Sequence, residues 1–207
     1  MGFDVLIDGC WDQFLTDSIQ TVSTKDRSSL FIDIGANIGL ISVQVSDYFK
    51  QIIALEPNPI AFGILKANAL THISESKLSL RNYGLGSKSE SAMLEIPECN
   101  LGGAFVKSPS NRLTNKEIKK KEGGRINITK SFDISIESAS DFFQSITTQL
   151  NNIHNRVVIK VDVEGMEEMR SMIGYYMENA NIIKHALEKI GFKVYGGTNA
   201  PYVWAHF

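Results

Sequence analysis

The length, composition and charge of the chain exclude several classes of protein. Its 207 residues are enough to bury a hydrophobic core, and 43% hydrophobic with 21% charged residues is typical of a globular protein. A formal net charge of -2 gives no general attraction to nucleic acid or to an anionic membrane. The two cysteines, Cys10 and Cys99, lie far apart and outside any metal-binding pattern, which argues against a zinc site or a disulfide framework.

We expect neither a signal peptide nor a membrane-spanning segment in this sequence. Residues 1–17 carry acidic side chains and lack a basic start followed by an apolar core. No apolar run approaches the roughly 18 residues that a spanning helix needs. We therefore expect a cytoplasmic protein without a membrane span, folded as a single domain over residues 1–207.

Strands and helices are predicted to alternate along the chain after an N-terminal helical segment within residues 1–28. The apolar residues of that segment that have the spacing of one helix face are Phe14, Leu15, Ile19 and Val22. Apolar, β-favouring runs predict strands at 29–34, 52–55, 78–83, 92–96, 126–136, 157–162, 192–195 and 202–207. Helices are predicted at 40–49, 61–70, 138–150 and 181–190, and a polar loop or insertion at 100–125. This alternation favours an α/β fold with a doubly wound, largely parallel sheet.

A glycine-rich turn follows the first predicted strand. Its sequence over 33–39 is Asp-Ile-Gly-Ala-Asn-Ile-Gly. Ligands of a parallel α/β sheet bind at the carboxyl ends of the strands, where glycines allow the backbone to approach a ligand closely. The carboxylate of Asp33 would repel a pyrophosphate but suits a cationic ligand. The turn therefore favours S-adenosylmethionine, which carries an ammonium and a sulfonium group, over NAD.

An acidic residue also ends the second predicted strand. Glu56 lies about 20 residues beyond the turn, where a carboxylate can bind both ribose hydroxyls of a cofactor. A tight turn without a ligand and an ordinary surface glutamate are the alternative interpretations. The occurrence of both features at consecutive strand ends favours a cofactor site.

Three segments resemble the FkbM family of methyltransferases. They are Phe-Ile-Asp-Ile-Gly-Ala-Asn-Ile-Gly-Leu at 31–40, Leu-Glu-Pro-Asn at 55–58 and Ile-Lys-Val-Asp-Val-Glu-Gly-Met-Glu at 159–167. The Asn-Leu-Gly-Gly segment at 100–103 and a Tyr-Gly-Leu-Gly turn at 83–86 are also similar to that family. The first segment is typical of all class I methyltransferases, whereas the Lys-x-Asp-x-Glu-Gly-x-Glu pattern is much more specific.

The resemblance implies a Rossmann-like class I methyltransferase fold, with a mostly parallel seven-stranded sheet whose last strand is antiparallel. It also implies O-methyl transfer from S-adenosylmethionine, which in this family commonly goes to sugars of polysaccharides, glycolipids or natural products. The cofactor-binding residues carried over by motif are Asp33, Gly35, Ala36, Asn37, Gly39, Glu56, Pro57, Tyr83, Gly84, Leu85 and Asp162. The turn at 33–39 would hold the amino-acid end, Glu56 the ribose, and 83–85 would lie near the adenine. Many class I enzymes have an Asp near that last place, where this chain has Asn82.

The chain departs from the family pattern after Glu167. The family usually has a longer helix there, then a strand that ends in an acid, before the next helix. Here only residues 168–176 separate the motif from Met-Glu-Asn at 177–179. Either the helix is cut to about two turns, or 175–178 forms a rudimentary strand. A non-catalytic module that binds the cofactor is therefore one alternative function.

Asp162 and Glu164 are the candidate catalytic residues. Two positions apart on a strand, they would face the same side. Methyl transfer from a sulfonium is an in-line displacement that needs the acceptor placed close by and its proton removed, for which a carboxylate can be the general base. The pair could also bind a magnesium ion, or Asp162 could contact the cofactor while Glu164 caps the next helix.

The expected acceptor is a hydroxyl of a sugar, a glycan or a related small molecule. The N/D-P-P-Y/F signature common in amino-methylating enzymes is absent, which favours an oxygen acceptor. A basic run at 116–125 is interpreted as a solvated loop or as a lid for an anionic acceptor. An RNA or protein methyltransferase is the alternative, but the acidic charge balance makes nucleic acid an unexpected partner. A homodimer is left open.

Overall fold

The computed structural model describes residues 11–23, 30–97, 104–107, 128–150, 157–162, 170–196 and 203–206. The helices are α1 (Gln13–Val22), α2 (Leu40–Gln44), α3 (Pro59–His72), α4 (Ala139–Leu150) and α5 (Arg170–Lys189). The strands are β1 (Leu30–Ile34), β2 (Gln51–Leu55), β3 (Leu78–Arg81), β4 (Gly84–Gly86), β5 (Glu90–Pro97), β6 (Phe105–Lys107), β7 (Ile128–Ser138), β8 (Val157–Val161), β9 (Lys193–Gly196) and β10 (Val203–His206). None of these described helices combines the length and the apolarity that crossing a membrane requires.

The main sheet has six strands in the described part of the chain, in the order β3-β2-β1-β8-β10-β9. The pairs of β3 with β2, β2 with β1 and β1 with β8 are parallel. The last strand, β10, is antiparallel to both of its neighbours. The mostly parallel sheet and its antiparallel last strand confirm the predicted α/β class.

The described residues contribute six strands to the main sheet, against the seven that the resemblance implies. β10 pairs directly with β8, which leaves no place between them for a further strand. The segment expected to contain that strand instead forms part of α5, one continuous helix of 20 residues. The predictions of a two-turn helix and of a rudimentary strand at 175–178 are therefore both wrong. No proline interrupts residues 170–189, so a helix can run on through this segment.

Two apolar layers cover the two faces of the main sheet. On one face Phe143 of α4 and Leu187 of α5 belong to the same buried cluster as Ile32. On the other face Leu65 of α3 belongs to a second cluster with Phe31. Because the neighbours Phe31 and Ile32 point to opposite faces of β1, helices cover both sides of the sheet. This is the doubly wound arrangement that the alternation of elements predicts.

The first helix is confirmed, but only part of its predicted face packs in the core, where Ile19 is buried and Leu15 packs against the same cluster. Phe14 is 84% exposed and Val22 is 44% exposed, so neither packs in the core. The buried residues are Thr16, Ile19 and Ser23. Their separations of three and four residues match one helix face more closely than the predicted set does.

A second sheet with the strand order β4-β7-β5-β6 lies in the middle of the chain. It changes two predictions, because β4 forms within the predicted turn at 83–86 and β6 within the predicted polar loop at 100–125. The β4 sequence Gly-Leu-Gly has little β propensity of its own, and its parallel pairing with β7 makes it a strand. A Cβ at Gly84 or Gly86 would come within 2.9 Å of the Ile136 side chain, which explains why both positions are glycine. Apart from Ala104, the rest of that loop lies outside the described residues, as do Cys10 and Cys99.

A substitution at Gly39 tests how tightly the glycine turn packs on α3. Its φ is +85°, and a Cβ there would lie 2.5 Å from Leu65 Cδ1. We expect Gly39→Ala to lower the free energy of unfolding by about 1–3 kcal/mol, because both the backbone and the contact become strained. Urea unfolding measures the change.

Gly63→Ala is the matched control for that substitution. Gly63 is exposed within α3, and a Cβ there would meet nothing within 4 Å. Alanine should raise the free energy of unfolding by up to about 1 kcal/mol, because it has the higher helix propensity. Equal effects of the two substitutions would contradict the described packing of the turn.

Candidate active site

The carboxyl ends of three neighbouring strands form the candidate site. In the parallel register Ile34 of β1 lies opposite Leu55 of β2 and Val161 of β8. The residues that follow these strands, the turn at 35–39, Glu56 and Asp162, therefore meet at one edge of the sheet. The structure thus brings together the three motifs that the sequence singles out.

Backbone hydrogen bonds hold the glycine turn against the end of β2. The N–H groups of Gly35 and Ala36 donate to the Leu55 carbonyl at 3.0 and 2.9 Å. Gly35, Asn37 and Gly39 have φ values of 77°, 51° and 85°. Glycine adopts this left-handed region without steric cost, and asparagine tolerates it better than most residues. The residue types of the turn are therefore the ones that its backbone conformation requires.

The Glu56 carboxylate connects the turn to the start of α3. Oε2 accepts the Asn37 N–H and Oε1 accepts the Asn58 N–H, both at 2.8 Å. Burial raises the pKa of Glu56, although these two N–H groups act in the opposite direction. Each carboxylate oxygen has a second lone pair. The side chain can therefore accept hydrogen bonds from a ligand while it holds the turn.

A mainly apolar cavity opens between the strand ends and the second sheet. Its lining residues from the strand ends and their turns are Ile34, Gly35, Asn37, Leu55, Glu56, Pro57, Asn58 and Asp162. The remaining lining residues, most of them from the second sheet and its surroundings, are Ala61, Tyr83, Gly84, Leu85, Leu94, Ala104, Val106, Ile136 and Asn179. The residues predicted near the adenine thus share one cavity with the carboxylate predicted to bind the ribose.

Asn82 has a different position from the Asp that many class I enzymes have near this place. Its Nδ2 donates to the Glu56 backbone carbonyl at 2.8 Å and to the Pro57 carbonyl at 3.3 Å. The side chain ties the ends of β2 and β3 together and is not one of the residues that line the cavity.

A smaller and more polar cavity lies on the other side of the turn. Its lining residues are Trp11, Asp12, Leu15, Gly35, Ala36, Asn37, Ile38, Leu40, Ile41, Lys160 and Asp162. The two cavities share Gly35, Asn37 and Asp162. A ligand with one apolar and one polar end could therefore occupy both cavities, with its middle part next to these three residues.

Lys160 and Asp33 form a buried ion pair next to the turn. They lie opposite each other in the register of β8 and β1, and Lys160 Nζ is 2.9 Å from Asp33 Oδ1. Asp33 Oδ2 accepts the hydroxyl of Ser42 at 2.7 Å. Burial lowers the pKa of Lys160, but the Asp33 and Asp162 carboxylates outweigh burial and raise it. Lys160 is therefore a buried cation.

The structure divides the predicted site residues into three groups. Those that line one or both cavities are Gly35, Ala36, Asn37, Glu56, Pro57, Tyr83, Gly84, Leu85 and Asp162. Asp33 and Gly39 line neither, since Asp33 is wholly buried and Gly39 packs against Leu65. Direct contact of these two residues with a cofactor stays a prediction. Glu164 lies outside the described residues.

Lys160 is the site residue to which sequence analysis assigned no role. A usable signal was present, because a lysine inside an apolar strand needs a partner when it is buried. Asp33 is the charged residue in β1 and would have been the candidate partner. What the sequence did not reveal is that β1 and β8 are neighbours in this register.

Metal binding has no support from the described residues. Among them, no group of three or more His, Cys, Asp or Glu side chains could hold a metal ion. The magnesium alternative depends on Asp162 together with Glu164, and the latter is not described. It therefore stays a prediction.

Comparison with protein families gives one match that covers the site. The family model described as "Methyltransferase FkbM domain" matches residues 33–170. This range begins at Asp33 and includes Glu56, the second sheet and Lys160. It ends at the first residue of α5.

Two curated relatives match the chain over short stretches. LL-diaminopimelate aminotransferase of Arabidopsis thaliana is 44% identical over 73 residues, which are 33% of this chain and 16% of that protein. The enzyme of the same name from Protochlamydia amoebophila is 52% identical over 44 residues, 21% of this chain and 11% of that protein. The chain thus spans less than a fifth of the length of either aminotransferase.

Solved structures similar to this chain include two methyltransferases. Magnesium protoporphyrin IX methyltransferase from Synechocystis PCC 6803 with bound SAM is 9% identical, with a TM-score of 0.36 over 94% of this chain and 76% of that chain. TrmK of M. capricolum in complex with S-adenosyl-homocysteine is 10% identical, with a TM-score of 0.34 over 94% of this chain and 66% of that chain. Likeness at this level adds nothing to the fold described above.

The raised pKa of Glu56 predicts a pH-dependent stability. The folded state holds this proton more tightly than the unfolded chain, whose pKa is near 4.5. Protonation of Glu56 therefore contributes to the free energy of unfolding in full below pH 4.5. This contribution is lost as the pH rises through the pKa that Glu56 has in the folded state. Glu56→Gln removes this titration, so we expect the wild type to lose stability relative to the variant as the pH rises from about 4.5.

Urea unfolding of both proteins at several pH values measures the difference. Glu75→Gln is the matched substitution at an exposed glutamate. A difference between wild type and Glu56→Gln that stays constant, or that grows with pH in favour of the wild type, would be inconsistent with a raised pKa.

Proposed function

Because the chain belongs to the FkbM methyltransferase family, we propose that it is an S-adenosylmethionine-dependent methyltransferase. The observation that carries the proposal is the Glu56 carboxylate on the wall of the apolar cavity. Two backbone N–H groups, those of Asn37 and Asn58, fix its orientation. A carboxylate at the end of the second strand is suited to accept the hydroxyls of a ribose.

The two cavities fit the two ends of this cofactor. The apolar cavity, with Tyr83 and Leu85 on its wall, suits the adenosine. The polar cavity next to it suits the charged amino-acid end. When bound, S-adenosylmethionine supplies an electrophilic methyl group. On this placement its sulfur would lie near the residues that both cavities share, which include Asp162.

Asp162 is the residue that we propose as the general base. It follows β8 directly, its N–H donates to the Ile34 carbonyl at 2.9 Å, and its side chain is 44% exposed. The backbone of Asp162 is therefore fixed, and its side chain is partly open to solvent. A hydroxyl placed there could transfer its proton to Asp162 as it attacks a methyl group. Glu164 keeps its predicted role beside it as part of the proposal.

We propose a hydroxyl of a sugar, glycan or related small molecule as the acceptor. The resemblance to the family supports this class, and so does the absence of the N/D-P-P-Y/F signature that is common in amino-methylating enzymes. The basic run at 116–125, which would support an RNA or protein acceptor, lies outside the described residues. A cytoplasmic location and a homodimer stay predictions.

One observation favours a second candidate, a cofactor-binding module without turnover. The resemblance implies a further strand ending in an acid after the motif at 160–167. In the described chain β10 pairs with β8 instead, so no acidic strand end stands next to Asp162 on that side. Cofactor binding without methyl transfer would be the behaviour of such a module.

Calorimetric titration with S-adenosylhomocysteine tests the cofactor assignment, with NAD as the control ligand. We expect saturable one-to-one binding of S-adenosylhomocysteine alone. Glu56→Ala should weaken this binding by about 1–3 kcal/mol, because a charged hydrogen-bond acceptor is lost. Glu75→Ala, outside both cavities, should bind as the wild type does. Absent binding, or wild-type affinity in Glu56→Ala, would refute the assignment.

Asp162→Asn tests the role of the base. The amide keeps the shape of the side chain, so S-adenosylhomocysteine should still bind. Transfer of a labelled methyl group to a panel of mono- and oligosaccharides should fall by about 10²–10⁴-fold, because an amide cannot take up the proton. Unchanged transfer would show that Asp162 is a cofactor contact only, and a wild type that binds cofactor but methylates no acceptor would favour the module.

A further inference from the structure

Lys160 reaches the wall of the polar cavity from within the main sheet. Its side chain is only 5% exposed, and it lines the polar cavity. Nζ lies 2.9 Å from Asp33 Oδ1, 3.1 Å from the Gly35 carbonyl and 3.6 Å from Asp162 Oδ2. A lysine ammonium has three N–H donors. Two of these oxygens, those of Asp33 and Gly35, lie at hydrogen-bond distance, and the Asp162 carboxylate forms a longer ion pair.

The register of the central strands explains why one side chain reaches all three groups. Asp33 and Lys160 lie opposite each other on β1 and β8. Gly35 comes two residues after Asp33, and Asp162 comes two residues after Lys160. The Asp162 N–H also donates to the Ile34 carbonyl, so the two strand ends are joined by backbone as well. The ammonium therefore sits between the end of β1 and the end of β8.

We propose that Lys160 is a positioning residue for the amino-acid end of the bound cofactor. Asp33 holds the ammonium, and the ammonium fixes the Gly35 carbonyl and the Asp162 carboxylate. Both of these residues line both cavities, so their positions set the passage from one cavity to the other. This inference rests on the proposed cofactor site, and it gives Asp33 an indirect role through Lys160.

The charges around the polar cavity support the same role. Asp12 and Asp162 line this cavity and Asp33 is paired with Lys160 behind its wall, so without Lys160 the charged groups here would all be carboxylates. The ammonium balances one of them, so the site presents both signs of charge to a ligand. The amino-acid end of the cofactor is a zwitterion and matches such a site better than a purely anionic one. The adenosine carries no charge and is expected to be indifferent to Lys160.

A pair of probes separates this role from a general effect on the fold. S-adenosylhomocysteine has the amino-acid end, whereas 5′-methylthioadenosine keeps the adenosine and the sulfur but lacks that end. In the full chain, Lys160→Met should weaken S-adenosylhomocysteine about 10-fold or more, because charged hydrogen bonds at the site are lost. Binding of 5′-methylthioadenosine should stay within about twofold of the wild type, as expected for an independent part of the site.

Two further variants control for stability. Lys160→Met leaves Asp33 buried without its cation, which should lower the melting temperature by on the order of 10 °C. The double variant Asp33→Asn with Lys160→Met removes both charges and should recover much of that loss, while its affinity for S-adenosylhomocysteine stays as low as that of Lys160→Met. Lys88→Met removes an exposed lysine that pairs with Glu90 at the same distance of 2.9 Å, and should bind both probes as the wild type does.

Several results would overturn the inference. Wild-type affinity of Lys160→Met for S-adenosylhomocysteine, or an equal loss for both probes, would remove the link to the amino-acid end. Recovery of affinity together with stability in the double variant would show that Lys160 only neutralises Asp33. A further large loss in the double variant would show that Asp33 contacts the cofactor directly. A wild type that binds neither probe would refute the proposed function, and this inference with it.

Discussion

The buried ion pair between Lys160 and Asp33 is the constraint on which the site depends. Two charges can leave water only when each has a partner, and β1 and β8 place these two opposite each other at the carboxyl end of the sheet. A pair of this kind adds little net stability over apolar residues of similar volume. The ion pair instead fixes the geometry of the site, because the Lys160 ammonium also donates to the Gly35 carbonyl and lies near the Asp162 carboxylate. Moving either central strand would therefore displace the turn or the proposed base.

A second carboxylate, that of Glu56 at the end of β2, also holds the glycine turn in place. It accepts the N–H groups of Asn37 and Asn58, so the turn is held from the side of β2 as well as from the side of β8. The two carboxylates differ in access, since Glu56 lines a cavity and Asp33 does not. The turn consequently separates an apolar cavity from a polar one. A cofactor with an uncharged nucleoside and a zwitterionic end fits that division.

The sequence was sufficient for features that depend on nearby residues. The ends of β1, β2 and β8, the glycine turn and the carboxylate at 56 follow from local patterns, and they lie within one residue of the predicted places. The ion pair of Asp33 could not be predicted from local patterns, because its partner Lys160 is 127 residues away in the chain. The sequence argument for a cationic ligand considered the Asp33 carboxylate without that lysine. β4 was missed for a similar reason, since pairing with β7 rather than its own sequence makes it a strand. The six-stranded main sheet depends on how the chain after 170 is arranged, which periodicity does not specify.

A crystal structure of the chain with S-adenosylhomocysteine would test the central claim most directly. The claim is that the ion pair and Glu56 together shape one site with two compartments. The expected result is a ligand with its ribose hydroxyls on Glu56, its adenine in the apolar cavity and its amino-acid end beside Gly35 and Asp162, with Lys160 still bound to Asp33. A ligand bound elsewhere, or one whose amino-acid end contacts Asp33 after Lys160 has moved away, would contradict it.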